Sequence, residues 1–80
     1  MKIPAIKKLV ENHTLAQLQA AEAAILEEQT PSIEVEGDDE GEQLTHVLAS
    51  IYIKEKMEHH AVPFNQALRD FSQRVRNSIS

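Results

Sequence analysis

The chain has no cysteine and no tryptophan, and it has only two glycines. Without cysteine it cannot form a disulfide, a thiolate metal site or a thiol nucleophile. Two glycines cannot build the glycine-rich loops that cradle phosphates in nucleotide-binding enzymes. None of the serines lies in the Gly-x-Ser-x-Gly turn of a serine hydrolase. These absences predict a protein that is not an enzyme, and we assign no catalytic residue.

Long apolar runs are also absent. The longest, residues 47–53, is interrupted by Ser50 and is too short to cross a membrane. The N-terminal residues contain Lys2, Lys7 and Lys8 and lack the uninterrupted apolar stretch of a secretory signal. The lack of cysteine suits a reducing compartment. We therefore expect a cytoplasmic protein that has no membrane partner.

Positive charge is scarce. The 80 residues carry 8 Lys or Arg against 13 Asp or Glu, which gives a formal net charge of −5. Because attraction to phosphate dominates nucleic-acid affinity, we expect no nucleic-acid partner. The basic residues near the two ends could form a patch, but we favour a solvated face or ion pairs with the acidic residues of a neighbouring chain. These bases are Lys2, Lys7, Lys8, Arg69 and Arg76.

Negative charge is concentrated in residues 34–42, here called the acidic segment. It contains both glycines, and six of its nine residues are carboxylates. A calcium-binding EF-hand loop needs glycine at its sixth position, and counting from Glu34 that position is Asp39. We therefore expect a solvated connecting loop that leads into a helix, because the N-terminus of a helix favours carboxylates.

Helical signals dominate the first third of the chain. Pro4 suits a first helical turn, and the apolar residues after it follow a helical period, which predicts a helix over about residues 4–12. Thr14 and Gln17 form a capping box for a second helix, which we expect to run to about Gln29 before a Thr-Pro pair.

The next residues are less regular. In residues 31–36, Ile33 and Val35 alternate with glutamates, a strand-like period over very few positions. We predict an extended connection in which Ile33 and Val35 contact the core. The alternative is a short strand that pairs with its copy across a dimer axis.

Two further helices follow. Asp39 and Glu42 make a second capping-box pattern for a helix that reaches about His60, and a fourth helix follows Pro63. The predicted fold is all-α: one domain over residues 1–80, with four helices and an acidic connecting loop.

The third predicted helix is apolar on two faces. One face carries Leu44, Val47, Leu48, Ile51 and Tyr52, together with Glu55. The other carries Ala49, Ile53 and Met57. A helix with two apolar faces needs two partners. We therefore predict a homodimer that uses Ala49, Ile53 and Met57, and a non-catalytic module for self-association or protein interaction.

Carboxylates and histidines on the same helix suggest an alternative function. Glu42 with His46, and Glu55 with His59, are spaced to offer two ligands on one face. His46 and His60 would be about 21 Å apart along a straight helix, so one protomer cannot join them. An antiparallel pair of helices could do so, which would give a metal- or small-ligand-binding protein at a dimer seam. We favour solvent-facing side chains for His59 and His60, and assign no metal ligand and no cofactor.

Three strings carry a resemblance: IPAIKKLVEN at residues 3–12, EGDDEGEQLTH at 36–46 and RVRNSIS at 74–80. With them the chain resembles, over its whole length, a family of small uncharacterised proteins of Bacteroidetes bacteria, a domain-of-unknown-function family. The resemblance implies a stand-alone cytoplasmic bacterial protein and transfers no site residue. It also associates such genes with thioredoxin and peroxiredoxin neighbours, so an adaptor for a redox enzyme is a third hypothesis.

Overall fold

The computed structural model describes residues 1–79, which form four α-helices. They are α1 (Ile3–Asn12), α2 (Leu15–Leu26), α3 (Glu40–His60) and α4 (Phe64–Ile79). The all-α prediction is confirmed, and residues 1–79 contain no strand. Residues 31–36 form a connection without helix or strand, bent at residues 32 and 33, and it buries Val35 and partly buries Ile33; it is the predicted extended connection. None of the four helices is both long and apolar enough to cross a bilayer.

The longest helix, α3, lies at the centre and contacts each of the other three. On one side it packs against α2, α1 and the extended connection, through Leu9, Leu18, Ala21, Ile25, Val35 and Val47. On another side it packs against α1 and α4, through Ile6, Val10, Ala49, Ile53 and Ala67. Helix α1 supplies residues to both clusters, so it lies between them and joins the two parts of the core.

The predicted dimer interface is inside the protein. Ala49 and Ile53 have no solvent exposure, and Met57 packs partly buried against the same cluster. The assignment of this face to a second copy is therefore wrong. The physical reason is that α1 and α4 of the same chain cover it, so α3 finds both of its partners within one molecule.

Helix α1 forms hydrogen bonds with side chains of α3. Its N-cap residue, Lys2, offers no side-chain cap. At the other end of α1, the Lys54 ammonium donates to the carbonyl of Val10 at 2.9 Å. Ser50, fully buried, donates to the carbonyl of His46 at 2.7 Å and lies 3.4 Å from that of Ile6. Side chains of α3 thus contact backbone carbonyls in the middle and near the end of this short helix.

Helix α2 ends at Leu26, earlier than the predicted Gln29. Glu28 adopts a left-handed conformation (φ 59°). Its N–H donates to the carbonyl of Ile25, and the N–H of Gln29 donates to that of Ala24. This pair of bonds is the Schellman motif, which turns the chain out of a helix. The motif usually contains glycine, and here a glutamate occupies the left-handed position.

Candidate functional site

His46 is a polar residue in the interior of the protein, and its imidazole has no solvent exposure. Its Nε2 accepts a hydrogen bond from the backbone N–H of Lys2 at 2.9 Å. Its Nδ1 lies 2.7 Å from the carbonyl oxygen of Glu36. Because the Lys2 N–H can only donate and the Glu36 carbonyl can only accept, the ring proton is on Nδ1 and the ring is neutral.

Glu42, one turn before His46, collects three further contacts. Its Oε1 accepts from the backbone N–H of Asp38 at 2.8 Å and lies 3.9 Å from the Lys2 ammonium. Its Oε2 lies 3.5 Å from the ammonium of Met1. The Asp38 hydrogen bond, followed by the nearby positive charges, lowers the pKa of Glu42 despite its partial desolvation. We call the contacts among Lys2, Glu36, Asp38, Glu42 and His46 the N-terminal clasp.

The first turn of α3 begins as predicted, with one difference. The Asp39 carboxylate accepts from the backbone N–H of Glu42 at 2.7 Å, which makes Asp39 the N-cap. In a capping box the glutamate returns to the N–H of the cap residue itself. Here Glu42 bonds to the N–H of Asp38, one residue earlier. The Glu42 side chain therefore binds the backbone of the acidic segment, while the Glu42 N–H is capped by Asp39.

The acidic segment pairs with the basic N-terminus of its own chain. The Lys2 ammonium lies 3.4 Å from the Asp38 carboxylate, and the Lys8 ammonium lies 3.9 Å from that of Glu36. Exposed ion pairs of this kind add little stability singly. They do place Lys2 and Lys8 beside carboxylates instead of beside Arg69 and Arg76. These ion pairs lie within one chain, whereas the sequence suggested pairs with the acidic residues of a neighbouring chain.

The N-terminal clasp excludes one of the two residue pairs considered as metal ligands, Glu42 with His46. Both ring nitrogens of His46 are engaged and the ring is buried, so it cannot ligate a metal while the clasp is formed. Residues 1–79 contain no group of three or more His, Cys, Asp or Glu side chains placed to hold a metal ion. The Glu42–His46 half of that alternative is therefore wrong. His59 and His60 are exposed at the end of α3, as expected.

Those two histidines border an open cleft of about 270 Å³ between the end of α3 and α4. Here it is called the cationic cleft, and it is lined by Tyr52, Glu55, Lys56, His59, His60 and Arg74. The Arg74 guanidinium lies 5.7 Å from the centre of the Tyr52 ring, within range of a cation–π contact. The Lys56 ammonium lies 3.9 Å from the Asp70 carboxylate. The cleft gathers basic groups in a chain that is acidic as a whole.

One apolar face of α3 is only partly covered. Leu48 is 42% exposed there. Leu44, Ile51 and Tyr52 lie beside it and are only partly buried. Helical spacing places all four on one side, and we call this set the outer face of α3. The sequence placed Leu48 on one of the two apolar faces of α3, and the structure leaves this residue exposed.

The comparisons with known proteins give one result. The whole chain, residues 1–80, matches the family of unknown function DUF6952. No curated protein and no solved structure matches it. The resemblance to an uncharacterised family of unknown function is thus confirmed. Because this match covers the full length of the chain, the chain belongs to the DUF6952 family.

Proposed function

We propose that the protein is a non-catalytic helical module that acts by self-association, and that a second copy binds the outer face of α3. The observation that carries this proposal is the exposure of Leu48, at 42%, in the middle of four apolar residues on the longest helix. Removing apolar surface from water is the main driving force for protein association. The outer face replaces the buried face of Ala49, Ile53 and Met57 as the interface.

A two-fold axis at Leu48 gives an antiparallel pair of α3 helices. Leu48 then meets its own copy, and Leu44 lies opposite Tyr52 of the other chain. Residue 40 lies opposite residue 56, because both are eight positions from the axis. Such an arrangement is isologous, the commonest symmetry of soluble dimers. It forms a continuous apolar contact from the four residues of each copy.

Charge supports the antiparallel direction. Glu40 and the exposed carboxylates before it lie at the beginning of α3, and the cationic cleft lies at its end. In the antiparallel pair, Glu40 of each copy faces Lys56 of the other. A parallel pair would place carboxylates against carboxylates, which is unfavourable. Gly41 of one copy lies opposite Glu55 of the other, and the absence of a side chain at Gly41 leaves room for the glutamate. Glu55 then lies near the N-terminus of the partner helix, which favours negative charge.

The size of the outer face sets the expected strength. It is one face of one helix, and stable obligate dimers use larger and more continuous apolar surfaces. We therefore expect a dimer that forms and dissociates as the protein concentration changes. The monomer keeps its own core, because both buried clusters lie within one chain.

The test is the molar mass in solution, measured by light scattering over a concentration series. We expect the mass of the native protein to rise from monomer to dimer, and Leu48→Glu to stay monomeric while it keeps its helical content. Leu26→Glu is the matched control, since Leu26 is 63% exposed on α2 and lies outside the outer face. A native protein that stays monomeric, or equal effects of the two variants, would overturn the proposal.

A charge swap tests the direction of the pair. Glu40→Lys alone and Lys56→Glu alone should each weaken the dimer, and the double variant should recover most of the loss, because opposite charges again face each other. Lys56 also pairs with Asp70 in its own chain, so Lys56→Glu is first compared with native protein for thermal stability. No recovery in the double variant would exclude the antiparallel arrangement.

We also propose that the protein works in the cytoplasm of a Bacteroidetes bacterium. The sequence resemblance supports the source, and the absence of cysteine is compatible with a reducing compartment. Fractionation of such a bacterium, followed by detection with an antibody, tests the location. Recovery in the periplasmic or membrane fraction would contradict it.

A further inference from the structure

We propose that His46 is a proton-sensitive switch of the N-terminal clasp, and that protonation of its ring releases Lys2 from α3. The inference rests on the two hydrogen bonds of a fully buried imidazole. They join residues that are 44 and 10 positions away along the chain. The switch does not depend on self-association.

The chemistry of the ring decides which contact breaks. In the neutral ring, the lone pair on Nε2 accepts the Lys2 N–H. A proton taken from solvent must bind that lone pair, which turns Nε2 from an acceptor into a donor. Two N–H groups then face each other, and the bond to Lys2 is lost. The other bond, from Nδ1–H to the carbonyl of Glu36, needs no change and stays.

The charged groups around the ring act in both directions. The ammonium groups of Met1 and Lys2 come from the N-terminal end, and they oppose a positive charge on the ring. The carboxylates of Glu36 and Asp38 come from the acidic segment, and that of Glu42 comes from α3 itself; these favour it. Release of Lys2 moves its own ammonium away, which favours the charged ring further.

The consequence for the fold is local to the beginning of α1. The Lys2 carbonyl accepts from the N–H groups of Ala5 and Ile6, so Lys2 is both the N-cap of α1 and its link to α3. When this link opens, the first turn of α1 separates from α3, and the Lys2 ammonium leaves Asp38 and Glu42. The acidic segment stays in place through Glu36. Acid therefore uncovers the carboxylate of Glu42, a side chain that is 19% exposed while the Met1 and Lys2 ammonium groups lie beside it.

The experiment is a heteronuclear NMR titration of the native protein from about pH 8 to about pH 5, the range in which imidazoles titrate. At the start we expect the ring nitrogen shifts of His46 to report a proton on Nδ1 and none on Nε2. On acidification, the Lys2 amide shift should change with the same midpoint as the His46 ring. Its protection from hydrogen exchange should fall about fivefold, the value of one net hydrogen bond.

Two variants separate the switch from general effects of pH. His46→Gln should remove the titration of the Lys2 amide. The double variant His59→Gln/His60→Gln should leave it unchanged, since those exposed histidines lie at the other end of α3. If His46→Gln does not fold, the native titration decides alone. A His46 ring that stays neutral until the whole chain unfolds, or a Lys2 amide that follows a different histidine, would overturn the proposal.

Discussion

Gly37 rests against the backbone of Gln43 with no room for a side chain. A Cβ at position 37 would lie 2.7 Å from the Cγ of Gln43 and 2.8 Å from its backbone nitrogen. On the other side of the same contact, the Gln43 amide donates to the carbonyl of Val35 at 3.1 Å. One residue of α3 thus holds the acidic segment at two points.

We expect Gly37→Ala to lower the free energy of unfolding by about 1–3 kcal/mol, the usual cost of overpacking. The backbone of Gln43 belongs to a helix and cannot move away cheaply. Urea denaturation measures the change. Gly41→Ala is the control, because its Cβ would meet only the Asp39 carboxylate, at 3.3 Å. Equal losses in the two variants would contradict the contact.

Ala61→Gly should stabilise the protein. Ala61 ends α3 in the left-handed region, at φ 53° and ψ 41°. This conformation costs an L-residue about 1–2 kcal/mol, part of which glycine recovers after its greater freedom in the unfolded chain is subtracted. We expect a gain of about 0.5–1 kcal/mol in the free energy of unfolding.

The same substitution in an ordinary helical position provides the comparison for Ala61→Gly. Ala23 is an exposed residue of α2, and Ala23→Gly should cost about 1 kcal/mol through lost helix propensity. Glu28→Gly, at the left-handed residue after α2, should behave like Ala61→Gly. Thermal or urea unfolding ranks the three variants. A loss of stability at position 61 or 28 as large as the loss at position 23 would show that the left-handed backbone conformation does not destabilise these residues.

Ile53→Ala and Leu48→Ala distinguish the buried face of α3 from its outer face. Ile53 is fully buried, so its truncation should cost about 2–5 kcal/mol. Leu48 is 42% exposed, and its truncation should cost about 1 kcal/mol or less. The comparison is made by urea denaturation of dilute protein, so that self-association does not contribute. A larger loss of stability for Leu48→Ala than for Ile53→Ala would contradict the assignment of Ile53 to the buried face and Leu48 to the outer face.

Glu42→Gln should make the protein less sensitive to acid. The pKa of Glu42 is lowered from 4.5, mainly by the backbone N–H of Asp38. A carboxylate with a lowered folded-state pKa adds stability above its unfolded value, and that stability is lost as the pH falls through the folded value. The difference between native and variant should be full at neutral pH and shrink below pH 4.5.

The difference in stability between native protein and Glu42→Gln is followed by measuring the unfolding midpoints of both proteins from neutral to acidic pH. Glu58→Gln serves as the control, because Glu58 is exposed near the other end of α3. It should show no comparable loss at neutral pH. A difference between native protein and Glu42→Gln that stays constant with pH would show that the charge of Glu42 does not hold the clasp.

Local signals in the sequence predicted the helices well. The capping box of α2 forms as expected: the Thr14 hydroxyl accepts from the backbone N–H of Gln17 at 3.1 Å, and the Gln17 side-chain oxygen Oε1 accepts from the backbone N–H of Thr14 at 2.9 Å. The cap of α3 at Asp39 is equally local. Such interactions join residues three positions apart, so the sequence contains both partners in one short stretch.

The missed features depend on residues that are distant in sequence or carry no signal. The period of α3 reveals two apolar faces, but it does not say that α1 and α4 cover the one with Ile53. His46 resembled a ligand because its partner Lys2 lies 44 positions earlier. The end of α2 was misplaced because Glu28 takes a conformation that glycine usually marks.

The central position of α3 also determines the order in which the chain can fold. Chains are made from the N-terminus, and short helices are marginal on their own in water. Helix α1 docks on α3, and Lys2 binds a side chain 44 positions later. The first two helices therefore have no stable partner until α3 has been synthesised. A chain that is interrupted before α3 lacks a native state, and its N-terminal half becomes structured only after the middle has formed.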